Sequence, residues 1–183
     1  GLRGALWYQG ESNTFEHARY ADLLRALRTD WRAQFGPQLP LLIVQLANHG
    51  DPPTAPVDSE WAGLREAQRA VAAEDALSGL AVTIDIGDRY DIHPSNKQEL
   101  GRRLARAARH ALPPSGPRPV SATRQGGSVI VAFDDVTNGL RAYGADAPIG
   151  FELCGGQPGS CRYARAAGLQ GERVVLEPPA GQE

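Results

Sequence analysis

The stretch LLIVQL, residues 41–46, is a nearly continuous apolar run. Strands that are covered by helices on both faces of a parallel sheet have this pattern, because neither face offers a position for alternating polar residues. Apolar residues recur at helical spacing before the run and again after it, the second set including a glutamine. We therefore predict a buried parallel strand between two amphipathic helices, which use Tyr20, Leu23, Leu24, Leu27 and Trp31, and then Trp61, Leu64, Gln68 and Val71.

Two further runs predict strands on either side of this centre, GALWY at 4–8 and GLAVTIDI at 79–86. Asn13 with Glu16, and Ser95 with Gln98, have the spacing of capping boxes that open the first and third helices. The first helix should stop at Gly36-Pro37 and the third at Pro113-Pro114. Strand and helix thus alternate three times, which predicts an α/β fold with a parallel sheet.

The pattern changes after LPPSGPRP, residues 112–119. Short alternating runs follow, SVIVAF, IGFELC and RVVLEP, and glycine-rich turns separate them. This pattern is typical of antiparallel strands. We therefore predict an α/β domain over residues 1–113 and a smaller β-rich domain over residues 119–183.

Composition excludes several classes of function. The formal net charge of −2 provides no basic surface for nucleic acid, and no apolar run is long enough to span a membrane. The sequence contains no methionine, and for that reason we expect it to be a piece of a longer protein. Cys154 and Cys161, in CGGQPGSC, are predicted to close a hairpin as a disulfide, although two free thiols in a cytosolic protein are the alternative. A disulfide implies an oxidising compartment, so we expect a periplasmic or secreted protein.

Polar clusters follow two of the predicted strands, QGESN after the first and DRYDIHP after the third. Ligands bind at the carboxyl ends of the strands in an open parallel sheet, so the two clusters are expected to face one site. His93 is the candidate general base, because imidazole titrates near neutral pH. Pro94 keeps His93 out of the helical region. Asp91 and Glu11 are alternative acids to orient the ring.

Every one of these residues also has a purely structural interpretation. Asp91 and His93 could simply satisfy a turn and a helix start. Gln9 could donate to a developing oxyanion or make an ordinary loop hydrogen bond, and Gly10 permits close approach of a substrate to the backbone. His49, after the second strand, is a candidate for substrate contact. His17 is predicted to be solvated and His110 to close a helix. No histidine pair has metal-binding spacing, so no metal or cofactor is implied.

The motifs WYQGESN and DIGDRYDIHPSNKQELGRRLA together resemble the bacterial sialate O-acetylesterases, which are SGNH-type carbohydrate acetylesterases. The resemblance extends to the segment GFELCGG…YARA and so covers essentially the whole chain. It implies a flavodoxin-like three-layer α/β/α hydrolase fold, of which this chain is one half, followed by the β-rich region. It also implies removal of acetyl groups from sugar hydroxyls through a serine acyl-enzyme.

The resemblance further implies that His93 is the base, that Asp91 supports it, and that Gln9, Gly10 and Glu11 supply oxyanion and supporting groups. One feature of the family is missing. The nucleophilic serine of such enzymes lies in a GQSN-like motif upstream of anything in this chain. Ser12, in GESNT, lacks the second glycine of a nucleophile elbow. We therefore expect the chain to be the C-terminal portion of an esterase and inactive by itself.

The function predicted from the sequence is a carbohydrate O-acetylesterase whose substrate is an O-acetylated sugar, foremost O-acetylated sialic acid. Acetylxylan or another sugar acetate is the alternative substrate within the same chemistry. A carbohydrate-binding module without catalytic activity is the alternative from a different class. A purely structural module fits poorly with dense polar clusters at two strand ends.

Overall fold

The computed structural model describes residues 1–110, 116–143 and 145–178. The chain divides into two compact units, which we describe separately. The first contains residues 1–52 and those from 58 to the end of the third helix. The second contains residues 53–57 and those from 116 onward.

The first unit contains a three-stranded parallel sheet and three α-helices. The strands β1 (Ala5–Trp7), β2 (Leu41–Val44) and β3 (Ser78–Ala81) lie in the order β1-β2-β3, with Ala5 opposite Leu41 and Leu41 opposite Ser78. The helices are α1 (His17–Phe35), α2 (Glu60–Ala73) and α3 (Lys97–His110). The predicted alternation of parallel strands and helices is therefore present.

Helices cover both faces of β2, which accounts for its unbroken apolar sequence. On one face Leu41 and Ile43 pack with residues of α1 and α2, and on the other Val44 packs with Leu100 of α3. Leu41, Ile43 and Val44 are at most 2% exposed. Burying each such side chain contributes about 1.5–3 kcal/mol to folding, so this strand organises the core.

Three boundaries differ from those expected. Strand β3 ends at Ala81 rather than 86, because the chain turns there and the amide of Ile86 donates to the carbonyl of Thr83 at 3.1 Å. A 3₁₀ helix, Glu11–Glu16, precedes α1, and Asn13 does not cap either helix through its side chain. Asn96, not Ser95, accepts the hydrogen bond from the amide of Glu99 at the start of α3.

The predicted helix stop at Pro113-Pro114 and the first part of the predicted domain boundary lie outside the described residues. None of the helices within the described ranges has both the length and the apolar content needed to cross a membrane.

The second unit is antiparallel. Its main sheet has the order β4-β5-β9-β8, formed by β4 (Arg118–Gln125), β5 (Ser128–Asp134), β8 (Arg165–Gln170) and β9 (Arg173–Glu177). A second pair, β6 (Glu152–Leu153) and β7 (Arg162–Tyr163), frames a disulfide that joins Cys154 to Cys161. The core contains Val131, Val174 and Leu176. The Tyr163 hydroxyl donates to the carbonyls of Pro53 and Ala55, which belong to the same unit.

An acidic side chain in the first unit makes the fold sensitive to low pH. Asp75, between α2 and β3, accepts hydrogen bonds from Arg32 at 2.7 Å and from the Ser78 hydroxyl at 2.5 Å. Burial alone would raise the pKa of Asp75, but these two donors and the amide of Leu77 outweigh it and lower the pKa to about 2. The folded state therefore favours the ionised carboxylate. The resulting stabilisation is complete above pH 4 and disappears as the pH falls towards 2.

We expect Asp75→Asn to remove this pH dependence. The difference in unfolding free energy between the wild type and the variant should shrink by about 2 kcal/mol between pH 5 and pH 2. Urea denaturation at a series of pH values measures this difference. A constant difference across the range would show that Asp75 is not held ionised by Arg32 and Ser78.

Candidate active site

Three loops leave the same edge of the parallel sheet. Because β1, β2 and β3 run in the same direction, the residues after each strand emerge together. The first loop contains Gln9 and Gly10 and leads into Glu11 at the start of the 3₁₀ helix, the second contains His49, and the third contains Asp91 and His93. The sheet thus places all the site residues predicted in this unit at one edge.

The side-chain amide of Gln9 is held in one orientation. Its Nε2 donates to Asn13 Oδ1 at 2.6 Å, and its Oε1 shares the single hydrogen of the Tyr20 hydroxyl, at 3.1 Å, with the backbone carbonyl of Gln9, at 2.8 Å. Because an amide nitrogen carries two hydrogens, one donor remains after Asn13 is satisfied. Among the described residues, no acceptor receives a hydrogen bond from the second N–H of this amide. Gln9 can therefore donate to an incoming oxyanion without losing the contacts that orient it.

Gly10 is buried where no other residue fits. Its φ of 151° is one that residues with a Cβ rarely adopt. A Cβ at this position would lie 2.7 Å from Leu64 Cδ2 and 3.3 Å from Leu46 Cδ1. The glycine therefore lets the first loop run directly over the core, and it fixes where Gln9 and Glu11 emerge.

The Glu11 carboxylate lies in a half-buried position near two tyrosine hydroxyls. Burial raises the pKa of Tyr8, and the negative charge of Glu11 raises it further. A hydrogen bond to Thr83 acts in the opposite direction but does not outweigh these two effects. The pKa of Tyr20 is raised in the same way, first by burial and also by Glu11. Within the described ranges no ion pair engages Glu11. Glu11 therefore has no salt-bridge partner within 4 Å in this part of the chain, although Lys97 Nζ lies 5.2 Å from the ring centroid of Tyr8.

Asp91 and His93 lie side by side in the third loop. Asp91 Oδ1 is 3.5 Å from His93 Nδ1 and accepts the backbone N–H of His93 at 2.8 Å. The imidazole is 88% exposed, whereas Pro94 behind it is buried. The proline thus anchors the loop while the ring projects to solvent. No contact between His93 and Glu11 or Gln9 occurs among the described residues.

His49 is exposed after β2, and its ring centroid is 5.6 Å from that of Trp61 at a tilt of 37°. The Trp61 Nε1 donates to the carbonyl of Ala47 at 2.9 Å, which fixes the indole beneath the loop. An aromatic neighbour restricts the imidazole but leaves its outer edge open to solvent.

His17 and His110 are the two remaining histidines. His17 was expected to be solvated but is half-buried, since its ring lies against Gly63 of α2, where an added Cβ would be 2.4 Å from His17 Cδ2. The close approach of α1 and α2 at this glycine is the physical reason. The side chain of His110 lies outside the described residues.

Three polar side chains that support the loops were missed as functional candidates. Gln68 is fully buried on α2, and Asn48 lies in the second loop. Arg65 donates to the carbonyls of Leu46 and Ala47 at 2.8 and 3.0 Å. Burial lowers the pKa of Arg65 to about 10. The sequence signal that could have identified Gln68 is a polar residue at a position of the helical repeat that is otherwise apolar.

Within residues 1–110, 116–143 and 145–178, one group of potential metal ligands lies close together, Glu152 with Cys154 and Cys161. The two cysteines form a disulfide in the structure, and metal binding by cysteine requires the thiolate. These three residues therefore do not form a metal site in the oxidised protein.

Comparison with known proteins adds two findings. Residues 1–110 match the family described as carbohydrate esterase, sialic acid-specific acetylesterase. A crystal structure of a carbohydrate acetylesterase from Xanthomonas citri is 38% identical, with a TM-score of 0.83. The alignment covers 98% of this chain and 43% of that one, so the present chain spans less than half the length of its structural relative. No protein with a curated description matches the chain.

Proposed function

The chain belongs to the sialic acid-specific acetylesterase family of carbohydrate esterases, and from this premise we propose that it supplies two parts of an active site that removes O-acetyl groups from sugars, the general base and the donor that stabilises the oxyanion. The observation that carries the proposal is the arrangement at the sheet edge. A paired Asp91 and His93 and an oriented Gln9 amide follow parallel strands of one sheet. The proposed fold of the complete catalytic domain is the SGNH type.

In the proposed mechanism His93 removes the proton from a serine hydroxyl as the serine oxygen attacks the acetyl carbonyl. The carbonyl π electrons move to oxygen, and the second N–H of Gln9 donates to that oxyanion. The carbonyl then re-forms as the bond to the sugar oxygen breaks, and His93 returns the proton to that oxygen, which leaves as a hydroxyl group. Water releases acetate from the acyl-enzyme by the same two steps, which restores the serine.

Asp91 is proposed to orient the imidazole and to stabilise the imidazolium that forms in each step. Its carboxylate is the acid recorded beside His93, at 3.5 Å. Glu11 is the alternative acid and remains one because it is half-buried and no salt bridge engages it among the described residues. Its proximity to Tyr8 and Tyr20 also suits a role in holding the first loop.

The attacking serine is proposed to lie outside these 183 residues. Ser12 is exposed within the 3₁₀ helix Glu11–Glu16, and no contact with His93 is recorded in the described part of the chain. The outer edge of β1 pairs with no described strand, and Leu6 on that strand is 63% exposed. An unpaired edge strand leaves a row of backbone N–H and C=O groups free, so this edge suits a further strand from the rest of the domain.

We predict that the 183-residue chain alone does not hydrolyse 4-nitrophenyl acetate through an acyl-enzyme. Covalent catalysis has no substitute for the attacking group. Stopped-flow measurement with the purified chain should show neither a burst of nitrophenolate nor turnover above that of imidazole in solution. Turnover that disappears in Ser12→Ala would contradict the prediction and identify Ser12 as the nucleophile.

The proposed substrate is O-acetylated sialic acid, with acetylxylan as the alternative of the same chemistry. Acetate release from the two substrates by the full-length protein distinguishes them through the ratio of kcat/KM values. His49 beside Trp61 is proposed to contact the sugar. Binding of both sugars without acetate release would instead favour a carbohydrate-binding module.

We also propose that the protein is periplasmic or secreted. The disulfide between Cys154 and Cys161 supports this, because such bonds persist in oxidising compartments. Protein purified from its native host and alkylated without reductant should show no added mass on either cysteine. Two alkylated thiols would contradict both the bond and the proposed compartment.

A further inference from the structure

Gln68 joins the first two loops at the sheet edge. Its side chain is 0% exposed. Its Oε1 accepts the backbone N–H of Leu46 at 2.9 Å, and its Nε2 donates to the carbonyl of Gln9 at 3.0 Å. A buried amide is costly unless it is hydrogen-bonded. Both of these bonds reach loop backbone, so Gln68, which also hydrogen-bonds the side chain of Tyr20, is fully satisfied only while the two loops keep this spacing.

Asn48 joins the second loop to the third. Its Oδ1 accepts the backbone N–H of Gly87 at 2.8 Å. A Cβ on Gly87 would lie 2.2 Å from the Asn48 carbonyl oxygen, so the two backbones are in direct contact. A second link follows, in which the amide of Gly50 donates to the carbonyl of Arg89 at 3.0 Å and Arg89 pairs with Asp51.

We propose that Gln68 and Asn48 are positioning residues. They hold the side-chain amide of Gln9, the proposed donor to the oxyanion, at a fixed position relative to the proposed base His93. The inference rests on the proposed function. The sheet aligns the chain only as far as Trp7, Val44 and Ala81. Beyond the ends of the strands, two side-chain amides hold the loops in place relative to one another. Gln68 links the first loop to the second, and Asn48 links the second loop to the third.

Asn48 provides the cleaner test, because it is half-buried and its replacement leaves the core intact. Asn48→Leu keeps the approximate size of the side chain but removes the acceptor for Gly87. Asn48→Asp retains an acceptor oxygen and is the matched control. In the full-length protein, Asn48→Leu is expected to lower kcat for sugar acetate roughly 100-fold, because small displacements of catalytic groups have effects of that size. KM should change less than about threefold.

Hydrogen exchange of the same full-length variants gives a readout that does not depend on activity. The amide of Gly87, which donates to Asn48, should exchange at least about tenfold faster in Asn48→Leu than in the wild type or Asn48→Asp, while amides in α1 keep their rates. For Gln68, the variant Gln68→Glu keeps the acceptor for Leu46 and replaces the donor to Gln9. Its kcat should fall while exchange in residues 87–93 stays unchanged.

The outcomes separate this proposal from the proposed function. An inactive wild-type protein with the predicted exchange pattern would contradict the esterase assignment but support the link between the loops. Unchanged kcat and unchanged exchange in Asn48→Leu would overturn the positioning role. So would equal losses in Asn48→Leu and Asn48→Asp, or faster exchange throughout α1, since these would indicate general destabilisation.

Discussion

His93→Ala in the full-length protein is expected to lower kcat for acetate release by roughly 10²–10⁴-fold, the usual contribution of a positioned general base. KM should change far less, because the proposed role of the imidazole is proton transfer rather than ground-state binding. The ring is 88% exposed, so its removal leaves no cavity and the fold should persist. Steady-state kinetics together with a thermal melt of the same sample measure both effects.

The two candidate acids make different predictions in this experiment. If the Asp91 carboxylate orients the ring, Asp91→Asn should reduce kcat by up to about 10⁴-fold, as loss of the acid does in other triads. If only the backbone near Asp91 matters, Asp91→Asn should have a mild effect and Glu11→Gln should be the damaging change. Small and equal effects from His93→Ala, Asp91→Asn and Glu11→Gln would show that the cluster is a structural turn.

Gly87→Ala is expected to have the second largest effect, on both activity and stability. The new Cβ would lie 2.2 Å from the carbonyl oxygen of Asn48 and 2.8 Å from its backbone nitrogen. Backbone atoms cannot rotate away, so the third loop must move. We expect a loss of about 1–3 kcal/mol in unfolding free energy, the usual cost of forcing extra atoms into a packed site. We also expect a roughly 100-fold loss of kcat, because His93 moves with the loop.

Gly101→Ala is the matched control for this substitution. Gly101 lies within α3, and an added Cβ at this position meets no atom within 4 Å beyond its chain neighbours and the backbone of its own helix. Alanine in a helix is favoured over glycine by roughly 0.5–1 kcal/mol, so this variant should be slightly more stable and fully active. Denaturation and kinetics measured in parallel compare the two. Equal stability and activity for both variants would contradict the close contact between Gly87 and Asn48.

The strands and helices of the first unit could be predicted from the sequence because their signals are local. The run LLIVQL needs apolar residues on both faces, and the repeat of Leu64, Gln68 and Val71 follows one side of a helix that is buried. Both patterns reflect burial of a whole element, and burial dominates the energetics of the core. For the same reason the antiparallel character of the β-rich region was predictable from its alternating runs.

The connections between the loops could not be predicted in this way. Gln68 occupied an apolar position in the helical repeat, and nothing in the local sequence indicates that its amide joins the carbonyl of Gln9 to the N–H of Leu46. Asn13 had the spacing of a helix cap, but Gln9 competes for its side-chain oxygen and a 3₁₀ turn forms instead. Hydrogen bonds between residues distant in sequence depend on tertiary packing, which capping patterns do not encode.

Identification of the serine labelled by a fluorophosphonate probe in the full-length protein tests the central claim most directly. The probe reacts with a serine only when a base activates it, so peptide mapping by mass spectrometry reports both partners. We predict one labelled serine outside residues 1–183, with labelling that falls at least about 100-fold in His93→Ala. Labelling of Ser12, or labelling at the same rate without His93, would contradict the account.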